Sequence, residues 1–179
     1  PMSARRQRQM CIRDRNSGFL LGERWTSGWF AHASSTPFSV DENGDGFRDF
    51  PNDNNLSVFN RYSYEGEKME AKLGFNAYID KRIGGQTAFG GSNFTEAYGL
   101  LIDSRHIDAF AKTGFFLKKP LHSIGVVYSA KYQTVDAVFG NREFKGTEKR
   151  GYVNAIYDGI INSSTHKFKL GVSGVYSDM

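Results

Sequence analysis

The sequence predicts an all-β protein: an antiparallel up-and-down meander of about eight strands, patterned like the wall of a transmembrane β-barrel. Three observations predict it. Polarity alternates with period 2 along most of the chain, and helical spacing is nearly absent. Short turns alternate with long loops between the apolar-periodic segments. The segments are also long, nearer the ~9–11 residues of a membrane strand than the ~5–6 usual in soluble sheets.

The elements follow in order. A truncated strand at residues 17–21 ends in a tight turn, "GER". Residues 25–33 alternate less cleanly and lead into a long loop, "SSTPFSVDENGDGFRDFPNDNN". Residues 56–64 form a strand whose facing is open, because Phe59 and Asn60 spoil either assignment. After the turn "EGEK" comes the clearest strand, "MEAKLGFNAYID" at residues 69–80. Met69, Ala71, Leu73, Phe75, Ala77 and Ile79 fall on one face, with Glu70, Lys72, Asn76 and Asp80 on the other. A second long loop, "KRIGGQTAFGGSNFTEAYGLLIDSR", precedes a strand at residues 106–116. A short turn at "KKP" precedes the strand at residues 123–132, and a third long loop runs through "VDAVFGNREFKGTEKR". Strands at residues 151–161 and 167–176 flank a last short turn, "NSST".

In an antiparallel meander this alternation gathers the long loops at one end, as extracellular loops, and the short turns at the other, as periplasmic turns. Tyr64, Phe115, Phe116, Tyr157 and Tyr176, near strand ends, are expected in interfacial girdles. A soluble β-sandwich or lipocalin-like barrel also alternates and is the competing architecture.

Composition narrows the function classes. The formal charge is +4, but residues 1–15, "PMSARRQRQMCIRDR", carry five arginines and one acid. The remainder holds eighteen basic and eighteen acidic residues, so nothing favours nucleic acid as a partner. Cys11 is the only cysteine, which excludes a disulfide framework and a cysteine-based zinc site. No stretch approaches the ~18 apolar residues of a membrane helix. The four histidines are scattered, and neither a nucleophile elbow nor a catalytic triad order is visible, so the chain does not read as an enzyme.

The sharpest local signal is "DENGDGFRD". Asp41, Asn43, Asp45, the carbonyl of Phe47 and Asp49 match the alternating oxygen donors of a calcium loop, with Gly46 at the sharp turn. Asn52 stands where a bidentate glutamate belongs, and no helices flank the loop. A structural calcium ion and a loop of Asx turns are both consistent with these residues. Arg82, Gln86, Asn93, Arg105, Arg142, Lys145 and Lys149 fall in the expected long loops and are the candidate contacts for a ligand at the external mouth. "RIGGQTAFGGSNF" is glycine-rich but lacks the Lys-Ser/Thr and the helix of a phosphate loop.

The series "VDENGDGFRDFP", "VFNRYSY", "DKRIGGQ" and "KTGFFLKKPLHSIGVVYSAKYQTVDAVFGNREFKGTEKRGYVNAIYDGI" resembles, in order over residues 17–179, the barrel of a TonB-dependent outer-membrane receptor of the Bacteroidetes type. The resemblance implies a plugged barrel of about 22 strands, of which eight would be roughly a third. It implies energised uptake of a scarce nutrient, such as a siderophore-type iron chelate or a cobalamin-like ligand. The implied partners are outer-membrane lipid and the TonB complex, the latter acting through a plug region absent from this stretch. Residues 16–179 are therefore expected to be an internal barrel segment. Residues 1–15 resemble translated sequencing-adapter read-through and are expected to be non-native; a basic, disordered arm is the alternative. A small non-transporting barrel and a soluble ligand-binding β-domain are the competing functions.

Overall fold

The computed structural model describes residues 11–90, 97–119, 121–161 and 166–179. All its elements are strands: β1 (Cys11–Leu20), β2 (Trp25–Ser35), β3 (Asn52–Glu65), β4 (Met69–Gly85), β5 (Gly99–Phe116), β6 (Ser123–Phe139), β7 (Arg142–Ile160) and β8 (Lys167–Asp178). They form one antiparallel sheet in sequence order, with β1 and β8 as its edges. The sheet is up-and-down, as expected, and it is not closed.

The turn ends of the strands lie close to where the alternation places them, but the other ends run much further. β1 begins at Cys11 and pairs with β2 from Cys11–Ser35 to Leu20–Thr26. Residues 11–15 are thus ladder rather than an arm, and the truncated strand at 17–21 is corrected to a ten-residue one. The third long loop does not exist. β6 and β7 continue to a two-residue turn at Gly140 and Asn141, where Gly140 has φ 58°. A glycine at positive φ in the first central position is what a type II′ hairpin needs. Valine and aromatic content made "VDAVF" and "REFKG" good strand sequence, whereas their charges made them read as loop.

Directly paired residues share a face, so the registers assign every side chain to one of two faces. The first is apolar. On β4 it carries Met69, Ala71, Leu73, Phe75, Ala77 and Ile79, and on β6 Ile124, Val126, Tyr128, Ala130 and Tyr132. The register also fixes β3: Leu56, Val58, Asn60, Tyr62 and Tyr64 lie on the apolar face and Phe59 on the other. Asn60 is tolerated there because it is buried and satisfied, donating to Ser27 Oγ at 3.3 Å and to the Gly28 carbonyl at 3.2 Å. Of the expected girdle, Tyr64, Phe115 and Tyr157 lie on the apolar face near the turns. Phe116 points to the opposite face, and Tyr176, two residues from the end of β8, lies in the row of Phe75 and Gly151, at mid-strand on β4.

The sheet is inclined to its own turns. One row of paired residues runs Arg15, Ala31, Val58, Ala77, Ile107, Tyr132, Lys149 and Asp178. The turn end of the strand lies five residues below that row on β1 and eleven below it on β8. At ~3.3 Å per residue and ~4.8 Å per strand this is a slope of about 30°. Membrane barrels tilt their strands by ~35–45°. Along β4 the uncharged side chains of this face span Met69 to Ile79, about 33 Å of strand and about 29 Å once tilted by that slope. An outer-membrane barrel presents an apolar band ~25 Å tall.

Gly85, at the loop end of β4, has φ 96°, and a Cβ there would lie 2.5 Å from Gly99 Cα and 2.7 Å from the Tyr98 carbonyl oxygen. Backbone cannot swing aside as a side chain can. Gly85→Ala is expected to destabilise the sheet by about 2–3 kcal/mol in denaturant unfolding, whereas Gly125→Ala, with open space around it, is expected to cost little.

Candidate functional site: the polar face and its loop cap

The second face is polar and spans the sheet. One row reads Asp14, His32, Ser57, Tyr78, His106, Gln133 and Glu148, each opposite the next. Period 2 puts charge here and nowhere within the apolar band of β4. The charges are mostly paired. Lys131 Nζ lies 3.2 Å from Glu148 Oε2, and Arg150 Nε lies 3.4 Å from Glu148 Oε1. Asn76 donates to Asp108 at 2.9 Å and lies 3.3 Å from His106 Nε2. His106 packs on Tyr78 with ring centroids 4.9 Å apart.

Towards the loop end, Arg82 Nε sits 3.0 Å from Asp80 Oδ2 and 3.4 Å from Asp53 Oδ1. Asp80 is buried, and this one guanidinium serves two carboxylates held close together, offsetting one of their two charges. Tyr78 accepts from Asn55 at 2.7 Å beside it. Towards the turns the same face carries an aromatic band. Phe30 and Phe59 lie 5.9 Å apart, Phe59 and Phe110 6.4 Å apart, and Phe110 lies over Gly74, where a Cβ would meet its ring at 2.2 Å. Rings laid over strand glycines restore the contacts those glycines lack.

The loop end is capped by two connections knitted together. Residues 36–51 link β2 to β3 and residues 86–98 link β4 to β5. Arg48 joins them: its side chain donates to Ser39 Oγ at 2.9 Å, to the Thr87 carbonyl at 3.1 Å, to the Phe89 carbonyl at 2.7 Å and to the Gln86 carbonyl. Burial lowers the pKa of this guanidinium from its ordinary value, without removing its charge. The backbone repeats the link, with Arg48 N–H to Gly85 at 2.9 Å and Thr87 N–H to Gly46 at 2.8 Å. Phe89 is fully buried beneath, against Gly99.

The calcium-like stretch is the folded part of this cap. Asp41 accepts from the N–H groups of Gly44 at 2.7 Å, Asp45 at 3.2 Å and Gly46 at 2.9 Å. Asp45 accepts from Phe47 N–H at 2.8 Å and from Asn43 Nδ2 at 2.9 Å, and Asp49 accepts from Glu42 N–H at 3.1 Å. These are Asx turns, with Gly44 and Gly46 at positive φ. The carboxylate oxygens keep further lone pairs for a hard cation, yet the backbone alone accounts for the loop's shape. Among the described residues no group of three or more His, Cys, Asp or Glu is gathered as a metal centre would require.

The candidate mouth residues are divided by the fold. Arg82 and Arg142 lie on the polar face, whereas Arg105, Lys145 and Lys149 lie on the apolar one. All five are on strands rather than in loops. Arg105 clasps Asp103 through two hydrogen bonds of 3.0 and 3.1 Å. Gln86 has a structural role: its Oε1 accepts the Tyr98 N–H at 2.6 Å, and its backbone bridges to Phe47. Asn93 lies outside the described residues. Sequence reasoning missed Arg48, Asp53 and Asp80; the one available signal was an arginine inside a turn-forming acidic loop. No protein family, no curated protein and no solved structure matches the chain.

Proposed function

We propose that this chain is a segment of the wall of an outer-membrane β-barrel belonging to a TonB-dependent receptor. The apolar face meets lipid, the polar face lines the lumen, and the knitted loops stand at the external mouth. One observation carries the reading: an inclined sheet with an uncharged band of bilayer height on one face and the charged and polar rows gathered on the other. A soluble sheet would bury its apolar face against a second layer, and all described strands lie in one layer. The resemblance over residues 17–179 supplies the transport class: uptake of a siderophore-type iron chelate or cobalamin-like ligand, driven through a plug by the TonB complex. The segment contributes wall and loops to that cycle and no bond chemistry. Their position on the polar face favours Arg82 and Arg142 as the members of the predicted set that would meet such a ligand.

Sequencing the source locus across both ends of this reading frame tests the proposal. A continuous frame with a plug region upstream and further alternating strands downstream is expected. A native start at Met2 and a stop directly after Met179 would overturn it. Calcium belongs to the same proposal as a structural ion held by Asp41, Asn43, Asp45, Phe47 and Asp49. Millimolar calcium is expected to protect residues 36–51 from proteolysis, and no change on titration removes the ion from the proposal.

A further inference from the structure

The two faces exchange character above the apolar band, and the following inference deepens the barrel-wall reading and rests on it. Towards the loop end of β5–β7, the face that is apolar lower down carries Arg105, Asp103, Asp136, Lys145 and Glu143. The face that is polar lower down carries Leu100, Ile102, Val135, Ala137, Phe139 and Phe144, with Arg142 opposite Phe139 at the edge. Pairing fixes both sets. Ile102 stands opposite Ala137 and Ala137 opposite Phe144, while Asp103 stands opposite Asp136 and Asp136 opposite Lys145. A wall that has left the bilayer is wetted on its outer side, which accounts for the outer charges. The inner set has no such reason, because a water-filled lumen asks for a polar lining.

The inner patch is open. Phe139 is 49% exposed and Phe144 56%. A Cβ on Gly146 would meet the Phe144 ring at 3.1 Å, so that ring lies over the glycine and turns its outer side to the lumen. Lipid chains do not fit as the cover, because Asp80, Arg82 and Asp53 share rows of this face with the patch on β3 and β4. The described part of the 86–98 connection folds over the other side: Phe89 lies against Gly99 and Gly90 against Ile83, both on the opposite face. A second copy is excluded by area. Three strands and three rows measure about 10 Å by 13 Å between backbones, on the order of 130 Å². A stable protein interface takes ~800 Å² from each partner.

We infer that this inner patch of β5–β7 seats the planar, apolar body of a small-molecule ligand, stacked against Phe139 and Phe144. A flat ring system matches the patch in size, and exposed aromatic faces favour offset stacking. The ligand class of the proposed uptake is thereby narrowed to molecules with an aromatic or extended apolar part.

Photolabelling of the full chain, folded into phosphatidylcholine vesicles, with uncharged 4-hydroxymethylbenzophenone tests the inference, the adducts being mapped by peptide mass spectrometry. Adducts on residues 100–102 and 135–144 are expected to saturate with probe concentration, whereas those on the apolar band rise in proportion to it. Phe139→Ser and Phe144→Ser are each expected to weaken the saturable labelling about five-fold. Val138→Ser, beside Phe139 but on the opposite face, is expected to leave it unchanged. Heat-modifiable mobility reports whether each variant folds. Phe144→Leu, which keeps apolar bulk and loses the ring, stands in for an unfolded Phe144→Ser, with an expected loss of about two-fold. A patch that takes no label, labelling there that does not saturate, or an equal effect of Val138→Ser overturns the ligand seat while leaving the wall intact. Failure of the chain to enter vesicles, or absence of label on the apolar band, overturns the lipid-facing reading and the inference with it.

Discussion

Leu73→Lys and Val126→Lys are expected to prevent assembly of the sheet in a bilayer, while Lys72→Leu and Ser129→Leu are tolerated. Leu73 and Val126 lie in adjacent rows of the apolar face, within the uncharged band. A lysine near the bilayer midplane of a barrel's outer face costs ~2–4 kcal/mol, comparable with a large share of a domain's net stability. Lys72 and Ser129 are on the opposite face, where a leucine replaces a hydrated side chain and meets no lipid constraint. Folding into vesicles, followed by protease resistance and by the heat-modifiable mobility of a folded barrel, reads the outcome. Equal tolerance of both pairs would refute the facing. A sheet that folds only in aqueous buffer, without any vesicles, would show that the apolar face has a protein partner instead.

Arg48→Ala should release both long connections at once. The side chain holds three carbonyls of residues 86–89 and one hydroxyl of its own loop. Hydrogen bonds from a charged donor are worth ~1.5–3 kcal/mol each, and the bonds to the Gln86 and Phe89 carbonyls are partly buried. A local loss of about 3 kcal/mol or more follows, which speeds amide exchange more than a hundred-fold where opening is local. Protection should fall together at Arg48 N–H, Thr87 N–H and Phe89 N–H, whose acceptors are the carbonyls of Gly85 at the end of β4, Gly46 and Gln86. Amides in the β6–β7 ladder should keep theirs. Arg48→Lys is expected to restore little, because an ammonium cannot span the fan of acceptors that the guanidinium fork reaches. Loss of protection in one connection alone would mean the cap is two loops and not one body.

Much of the architecture was legible in alternation. Residues 69–80 could be read as a two-faced strand because every second side chain is apolar, and the ladder with β5 keeps that assignment. Residues 142–150 could not. "REFKGTEKR" has charge on both parities, so it reads as loop, yet it pairs with β6 over its whole length. Strand pairing depends on neighbours three to nineteen residues away in sequence, which the local pattern does not show. The facing of β3 was illegible for the same kind of reason. Asn60 contradicts an apolar face until Ser27 and Gly28 are seen beside it.

The candidate site was legible as composition and not as placement. Basic residues near the loop end were visible in the sequence. Their division between two faces was not, since the expected loops hid the parity that separates Arg82 from Arg105.

By itself the sequence determined the all-β class, the order of the strands, the turn ends and the two-faced character, because a period of two is a local property of the chain. Tertiary structure alone decided where the strands stop at the loop end, the slope of the sheet, the union of two connections through Arg48 and the face each cation occupies. Each of these depends on register between strands, and register is set by pairing and packing across the sheet, which no local window of sequence contains.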